Sequence, residues 1–194
     1  MLDAEVLRKQ TKLQKEAYEV LDRLGIITYL SRFGKPEIVG SLAHGLMTWP
    51  DIDIILRKQI NEDDFWKTAA FLLAQRDFKT ISIMDFRKSV NPNTPKGLHI
   101  CIKDFEWKGK GWKIDLWFIP PIDQSAENLN EWLKIAIKEQ HKLPILKIKS
   151  EIFSHPKYRK EVFSIDIYRA VIEKGITDLE EFKKYLRETK RKLD

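Results

Sequence analysis

Asp51 and Asp53 stand one residue apart in "TWPDIDIILRK", inside a run whose other members, Ile52, Ile54, Ile55 and Leu56, belong in a hydrophobic core. Residues i and i+2 of a strand face the same side of a sheet. The two carboxylates therefore project together, about 6.5–7 Å apart at Cα, while Ile52 and Ile54 project into the core. Two ionised carboxylates on a half-buried face repel each other and resist desolvation. A divalent cation offsets both costs. Mg²⁺ takes a few carboxylate oxygens together with substrate phosphates and water. Two such ions can activate an attacking oxygen and stabilise a leaving one. The competing reading is a turn at Pro50-Asp51 with both acids in solvent, which accounts for Asp51 and leaves Asp53 unexplained.

Upstream, "EIVGSLAHG" ends a short apolar run on Gly40 and Ser41. Glycine permits a tight turn and a close backbone approach, and backbone N–H groups with a serine hydroxyl can hold a phosphate. Val39-Gly40-Ser41, a nine-residue spacer and Asp51-Ile52-Asp53 together resemble the nucleotidyltransferase superfamily with the DNA polymerase β-like fold. "GSLAHG" is similar to the GSxAxG form of its small stand-alone and antibiotic-modifying members, with His44 where many of them carry arginine. The resemblance implies transfer of a nucleoside monophosphate from an NTP, ATP being expected, to a hydroxyl. It implies two Mg²⁺ ions, with Mn²⁺ as a substitute. Asp51 and Asp53 would hold the metals, Asp53 bridging both, and Gly40 and Ser41 would position the β- and γ-phosphates.

The family also carries a third acid on a later strand, and Asp115 in "WKIDLWFIP" fits it best. Ile114, Leu116 and Phe118 form one face of that run, and Lys113, Asp115 and Trp117 the other. An acid flanked by core residues is the same anomaly as Asp53. Asp85, Asp104 and Glu106 are rivals, but each falls near a strand end or hairpin, where an exposed acid is ordinary. By the resemblance, Asp115 would bind the catalytic metal and assist deprotonation of the attacking hydroxyl.

These residues need a sheet to hold them. Apolar positions recur at helical spacing from Asp3 to Leu24, and Gly25 is a natural stop. Strands are expected over 37–39 and 52–56, and a helix capped by Asn61 follows. A strand over 78–86, a loop over 89–97, and a hairpin of "LHICIKDFEW" and "WKIDLWFI" across "KGKG" come next. Pro120-Pro121 ends the sheet. The rest reads as helical: "AENLNEWLKIAIKEQ", a segment stopping at Pro156, a helix from Lys157 to Gly175, and a last helix behind a Thr177–Glu180 capping box. The fold class is α/β (α+β): a mixed twisted sheet with flanking helices and a helical C-terminal part. A catalytic core at 1–121 and a helical part at 122–194 are expected, and the two can form one continuous domain.

Composition limits the function classes. The chain has 194 residues, 43% hydrophobic and 33% charged, with one cysteine, Cys101. No apolar run approaches a membrane span, the N-terminus lacks a signal core, and a single cysteine suits a reducing compartment, so a cytoplasmic location without membrane contact is expected. A net charge of +6 and pI of about 9.2 suit phosphate-bearing partners; much of the excess lies in the C-terminal helices, including "KKYLRETKRK". The four histidines lack metal-type spacing with Cys101, and no serine-hydrolase elbow is present. Lys147 and Lys149 can present charge toward a triphosphate but read first as surface lysines; the "WKGKGWK" segment reads as a solvated hairpin tip. Trp49 and Trp117 lie near the acids and can shape a nucleotide or acceptor pocket. A small-molecule or protein acceptor is favoured, because basic residues are not interleaved with aromatics beside the acids. The alternatives are a nucleic-acid acceptor and a catalytically inactive binding module.

Overall fold

The computed structural model describes residues 3–59, 61–75, 77–90, 94–121, 124–189 and 193. Helix α1 (Asp3–Leu24) turns at Gly25, which takes a left-handed conformation (φ 60°), into a short α2 (Ile26–Leu30). The sequence signals only the stop at Gly25; α2 forms because Ile26 and Leu30 lie one helical turn apart and both bury fully. Strand β1 (Pro36–Val39) leads into α3 (Gly40–His44), then β2 (Asp51–Arg57) and α4 (Glu62–Leu73). Asn61 caps α4, its side chain accepting from the Asp63 N–H at 2.9 Å. Strands β3 (Thr80–Asp85), β4 (Leu98–Trp107) and β5 (Lys110–Ile119) complete a five-stranded sheet of order β1-β2-β5-β4-β3. Strand β2 runs parallel to β5, and the other neighbours are antiparallel. The expected loop over 89–97 joins β3 to β4, but its residues 91–93 lie outside the described residues.

Four helices follow: α5 (Gln124–Ala136), α6 (Glu139–Ile152), α7 (Ser164–Lys174) and α8 (Leu179–Glu188). The expected helix through Gln140 breaks at 137–138. Lys138 is extended, and its N–H donates to His141 Nδ1 at 3.1 Å. A fresh start there keeps Pro144, which cannot donate, near the beginning of α6 and not deep inside a longer helix. The helix expected from Lys157 starts only at Ser164. Residues 157–163 form a turn in which Arg159 is left-handed (φ 65°) and its N–H donates to the Val162 carbonyl at 2.7 Å. Asp178, not Thr177, caps α8, accepting from the Glu181 N–H at 2.9 Å; Glu181 in turn accepts from the Thr177 N–H. Lys190, Arg191 and Lys192 of the basic tail lie outside the described residues.

The described residues form two large hydrophobic cores and a small third cluster of Val39, Ile55 and Ile119. One core lies between the sheet and helices α1, α2 and α4, and includes Ile52, Ile54, Ile114 and Leu116. The other joins α5–α8 to Val6, Leu46 and Trp49. It thus draws on residues of both expected parts of the chain and rests against the segment leading into the acids. Among the described residues no helix is long and apolar enough to cross a membrane.

Candidate active site

The parallel pairing of β2 with β5 sets the register Asp51↔Lys113 and Asp53↔Asp115. Strands lie about 4.8 Å apart, so alternation puts all three acids and Lys113 on one face, opposite Ile52, Ile54, Ile114 and Leu116. Strand β1 brings the glycine-serine segment to the same place, since Val39 pairs with Asp53. Gly40 opens α3 at φ +65°, and a Cβ there would run into the Asp53 carboxylate. Only glycine satisfies both conditions. Ser41 follows in the first turn of α3 and is buried. The Gly40 N–H faces Asn130 Oδ1 of α5 at 3.5 Å.

The face is short of positive charge. Burial, then the Asp51 and Asp115 charges, push the Asp53 carboxyl well above the usual carboxylate range. Burial also raises Asp51, against the pull of Lys113 and of Trp49, whose Nε1–H donates to Asp51 Oδ2 at 3.2 Å. The other oxygen, Asp51 Oδ1, is buried without a hydrogen bond; its nearest cation is Lys113 Nζ at 3.5 Å. Asp115 differs. Burial pushes it up, but the hydrogen bond from His99 Nε2 (2.9 Å) and the Lys113 ammonium more than reverse this and hold it below its ordinary value. Lys113 pairs directly with Asp115 Oδ2. Although burial opposes its charge, Asp51 and Asp115 raise its pKa.

Three hard-oxygen donors with surplus negative charge and an orphaned carboxylate oxygen fit a divalent cation such as Mg²⁺. Among the described residues, no three acidic, imidazole or thiol groups already converge on one point. The Lys113 ammonium, set between Asp51 and Asp115, bears on that.

No family profile matches the chain, and no curated protein does so by sequence. Solved structures do match. The chain superposes on a cytoplasmic RNA terminal U-transferase with a TM-score of 0.53 and 15% identity, over 84% of this chain and 52% of that one. It superposes on Cid1 poly(U) polymerase, bound to MgGTP, with a TM-score of 0.51 and 17% identity, over 71% and 42% of the two chains. The chain shares the fold of the matched part of these solved proteins. The chain spans about half the length of these solved proteins.

The rivals to Asp115 lie away from the three acids. Asp104 sits at the irregularity in β4 with φ 56°, and Glu106 is exposed near the hairpin. Asp85, on edge strand β3, pairs with Arg87 through both carboxylate oxygens, which pulls its pKa down to about 2.

Four residues that the motif does not specify surround the acids. Lys149 is fully buried and not on the surface. Its Nζ donates to the Leu46 carbonyl at 2.7 Å and to the Tyr168 hydroxyl at 3.3 Å, and lies 4.8 Å from the Trp49 ring. Burial, only partly offset by Asp51 and Asp53, lowers its pKa to about 7. The signal was present in the spacing: Ile145, Ile148 and Ile152 place position 149 on the buried face of α6. Lys147 keeps to the surface, 3.1 Å from Asp3. Arg159 lies over Trp49 at 5.3 Å and lowers the pKa of Asp51. Lys113 shares its face with Asp115 by simple alternation. His99 reaches Asp115 across the β4–β5 ladder and stacks on Trp117 at 4.1 Å, while its Nδ1 is buried without a partner.

Both tryptophans near the acids are packed by neighbouring side chains. Trp49 is packed by Phe153, Tyr158, Lys149 and Arg159, and its N–H holds Asp51. Trp117 is stacked on His99 and against Phe86. Cys101, the register partner of Asp115, is buried, and burial and Asp115 push its thiol up to about 12. A cavity of about 320 Å³ lies beside β1 and α5, lined by Lys35, Glu37, His44, Arg57 and Lys134 among others. None of the three acids lines it. Burial, with Lys134 nearby, lowers the pKa of His44 there.

Proposed function

We propose that the chain transfers a nucleoside monophosphate from an NTP, with ATP the first candidate, to a hydroxyl. The observation that carries this reading is the register Asp53↔Asp115 beside Asp51, with Gly40 against the Asp53 carboxylate. Asp51, Asp53 and Asp115 would hold Mg²⁺, two ions in the fullest form, with Mn²⁺ as a substitute. Metal bound there supplies the positive charge that activates the attacking hydroxyl and neutralises the leaving pyrophosphate.

The chain's own residues do the rest. Asp53, between the other two acids on the same face, would be shared by the metal ions. Asp115, which accepts from His99 Nε2, would take the proton of the attacking hydroxyl. The Ser41 hydroxyl and the backbone at Gly40 hold the β- and γ-phosphates, with Asn130 yielding the Gly40 N–H. The acceptor then attacks in line, from the side of the α-phosphate away from Gly40.

Two acceptor classes follow. The distribution of basic residues in the sequence favours a small molecule or a protein. The likeness to RNA terminal uridylyltransferases, together with the basic pI, favours the 3′-hydroxyl of a nucleic acid. Incubation with labelled ATP or UTP, Mg²⁺ and either cellular RNA or a pool of metabolites and proteins separates them. Label in RNA selects the polymer acceptor, and label in a small molecule or protein selects the other. No transfer with any nucleotide, while Asp53→Asn binds MgATP like the wild type, would overturn the enzyme reading.

A further inference from the structure

Among the described residues, Lys113 is the cation that pairs directly with the acids and has access to solvent. It precedes Asp115 by two residues on β5 and is the register partner of Asp51 on β2. Its ammonium pairs with Asp115 Oδ2 and stands 3.5 Å from Asp51 Oδ1. Its side chain is 37% exposed. Lys149, by contrast, is fixed by the Leu46 carbonyl and the Tyr168 hydroxyl and is fully enclosed. Among the described residues, the contacts that retain the Lys113 ammonium are the carboxylates themselves.

We propose that Lys113 is a built-in counter-cation, holding the place of a divalent metal between Asp51 and Asp115 and leaving it when metal binds. The inference rests on the metal reading of the three acids. A lysine ammonium is a compact point charge on a flexible stem. One ammonium neutralises one of three carboxylates, and a divalent ion neutralises two while accepting more oxygen ligands. The two cations compete for Asp51 Oδ1 and Asp115 Oδ2, so metal affinity is set by an exchange and not by free carboxylates. The exchange also accounts for the lack of a convergent donor set in the metal-free arrangement: Asp51 and Asp115 close on Lys113 first. The partly exposed side chain gives the displaced ammonium a route to solvent.

The test is Mn²⁺ binding by calorimetry to the full chain, without nucleotide. Lys113→Gln removes the competing charge at similar length, and Lys113→Arg retains it. Lys113→Gln is expected to bind Mn²⁺ at least tenfold more tightly than the wild type and to melt lower without metal, while Lys113→Arg binds no more tightly than the wild type. If the wild type binds Mn²⁺ and Lys113→Gln binds it equally or more weakly, the exchange is overturned and the metal site stands. If neither binds Mn²⁺, the metal reading falls and the exchange with it. A second measurement needs no variant. Acetylation of the wild type by acetic anhydride, read at Lys113 by peptide mass spectrometry, is expected to rise several-fold when Mg²⁺ is added. Unchanged or reduced labelling of Lys113 overturns the proposal.

Discussion

Gly40 stands so close to the Asp53 carboxylate that any side chain at position 40 would collide with it. This contact joins the end of β1 to the acids on β2. It also makes the glycine and the aspartate of the motif mutually dependent. Gly40→Ala is therefore expected to damage the site in two ways. A left-handed φ costs a non-glycine residue about 1–2 kcal/mol, and the new methyl displaces Asp53. Urea unfolding should show that loss of stability, and the thermal shift produced by MgATP should disappear. A variant with a wild-type MgATP shift would show that Asp53 need not hold its position.

Asp53→Asn should stabilise the metal-free protein. Folding raises the Asp53 pKa, so the charged form is penalised only in the folded state. For a raised carboxyl, that penalty is absent below the unfolded value, near 3.8, and grows as pH climbs to the folded pKa. The melting temperatures of variant and wild type should coincide near pH 3.5 and diverge by pH 8, the variant higher. The gain is about 1.4 kcal/mol for each unit by which folding raises the pKa. The same variant should lose its response to MgATP. Melts across this pH range check the first claim, and an undiminished MgATP shift would sink the metal assignment.

Asp115→Asn should do the opposite to stability. Its pKa is lowered on folding, by His99 and Lys113 against burial. Its charge therefore adds stability that is present above the unfolded value and is lost as pH falls through the folded one. The variant should be less stable at pH 7 by on the order of 1–2 kcal/mol, a figure reduced because Lys113 is partly exposed. Turnover should fall by at least about 10³-fold, with a smaller effect on nucleotide binding. Asp104→Asn and Glu106→Gln should leave turnover near wild type. Steady-state kinetics on the three variants, with slow NTP hydrolysis as the assay until the acceptor is known, would expose a wrong assignment of the third acid.

Lys149→Met probes the cation beneath the site. The folded pKa of about 7 lies below the ordinary lysine value of 10.5, so the penalty of burying this charge is complete below pH 7 and fades as pH rises toward 10.5. The melting temperature of Lys149→Met relative to wild type should therefore be most favourable near pH 6 and decline between pH 7 and 10. A difference that does not vary with pH would show that Lys149 keeps its ordinary pKa in the folded chain.

The acids were legible in the sequence because their placement is a local anomaly. Alternation alone puts Asp51 with Asp53, and Asp115 with Lys113. Their meeting across β2 and β5 was not local; it came from a motif resemblance, and the register gives it a geometry. Periodicity also yielded α1, α4 and the β4–β5 hairpin. Where it failed, a single hydrogen bond or dihedral decided the outcome. Residues 157–163 have helix-compatible composition but turn around a left-handed Arg159, and Asp178 won the cap from Thr177 by one position. Lys149 was misjudged on residue type, although its place on the apolar stripe of α6 argued for burial. His99 gave no signal, because its partner Asp115 is set by cross-strand pairing.

Strands β2 and β5 are the only parallel neighbours among the described strands of the sheet. Parallel neighbours cannot be joined by a tight turn, and here Asp53 and Asp115 are separated by 62 positions (115 − 53). High contact order slows folding, because loop closure is costly before distant contacts repay it. The acidic face therefore cannot exist in any fragment that ends before β5. Its assembly also brings three carboxylates together across the slowest kind of strand pairing. The residues that equip the site for chemistry are the ones that oppose its closure as the chain folds, and the Lys113 ammonium travels with β5 to reduce that opposition as the strands meet.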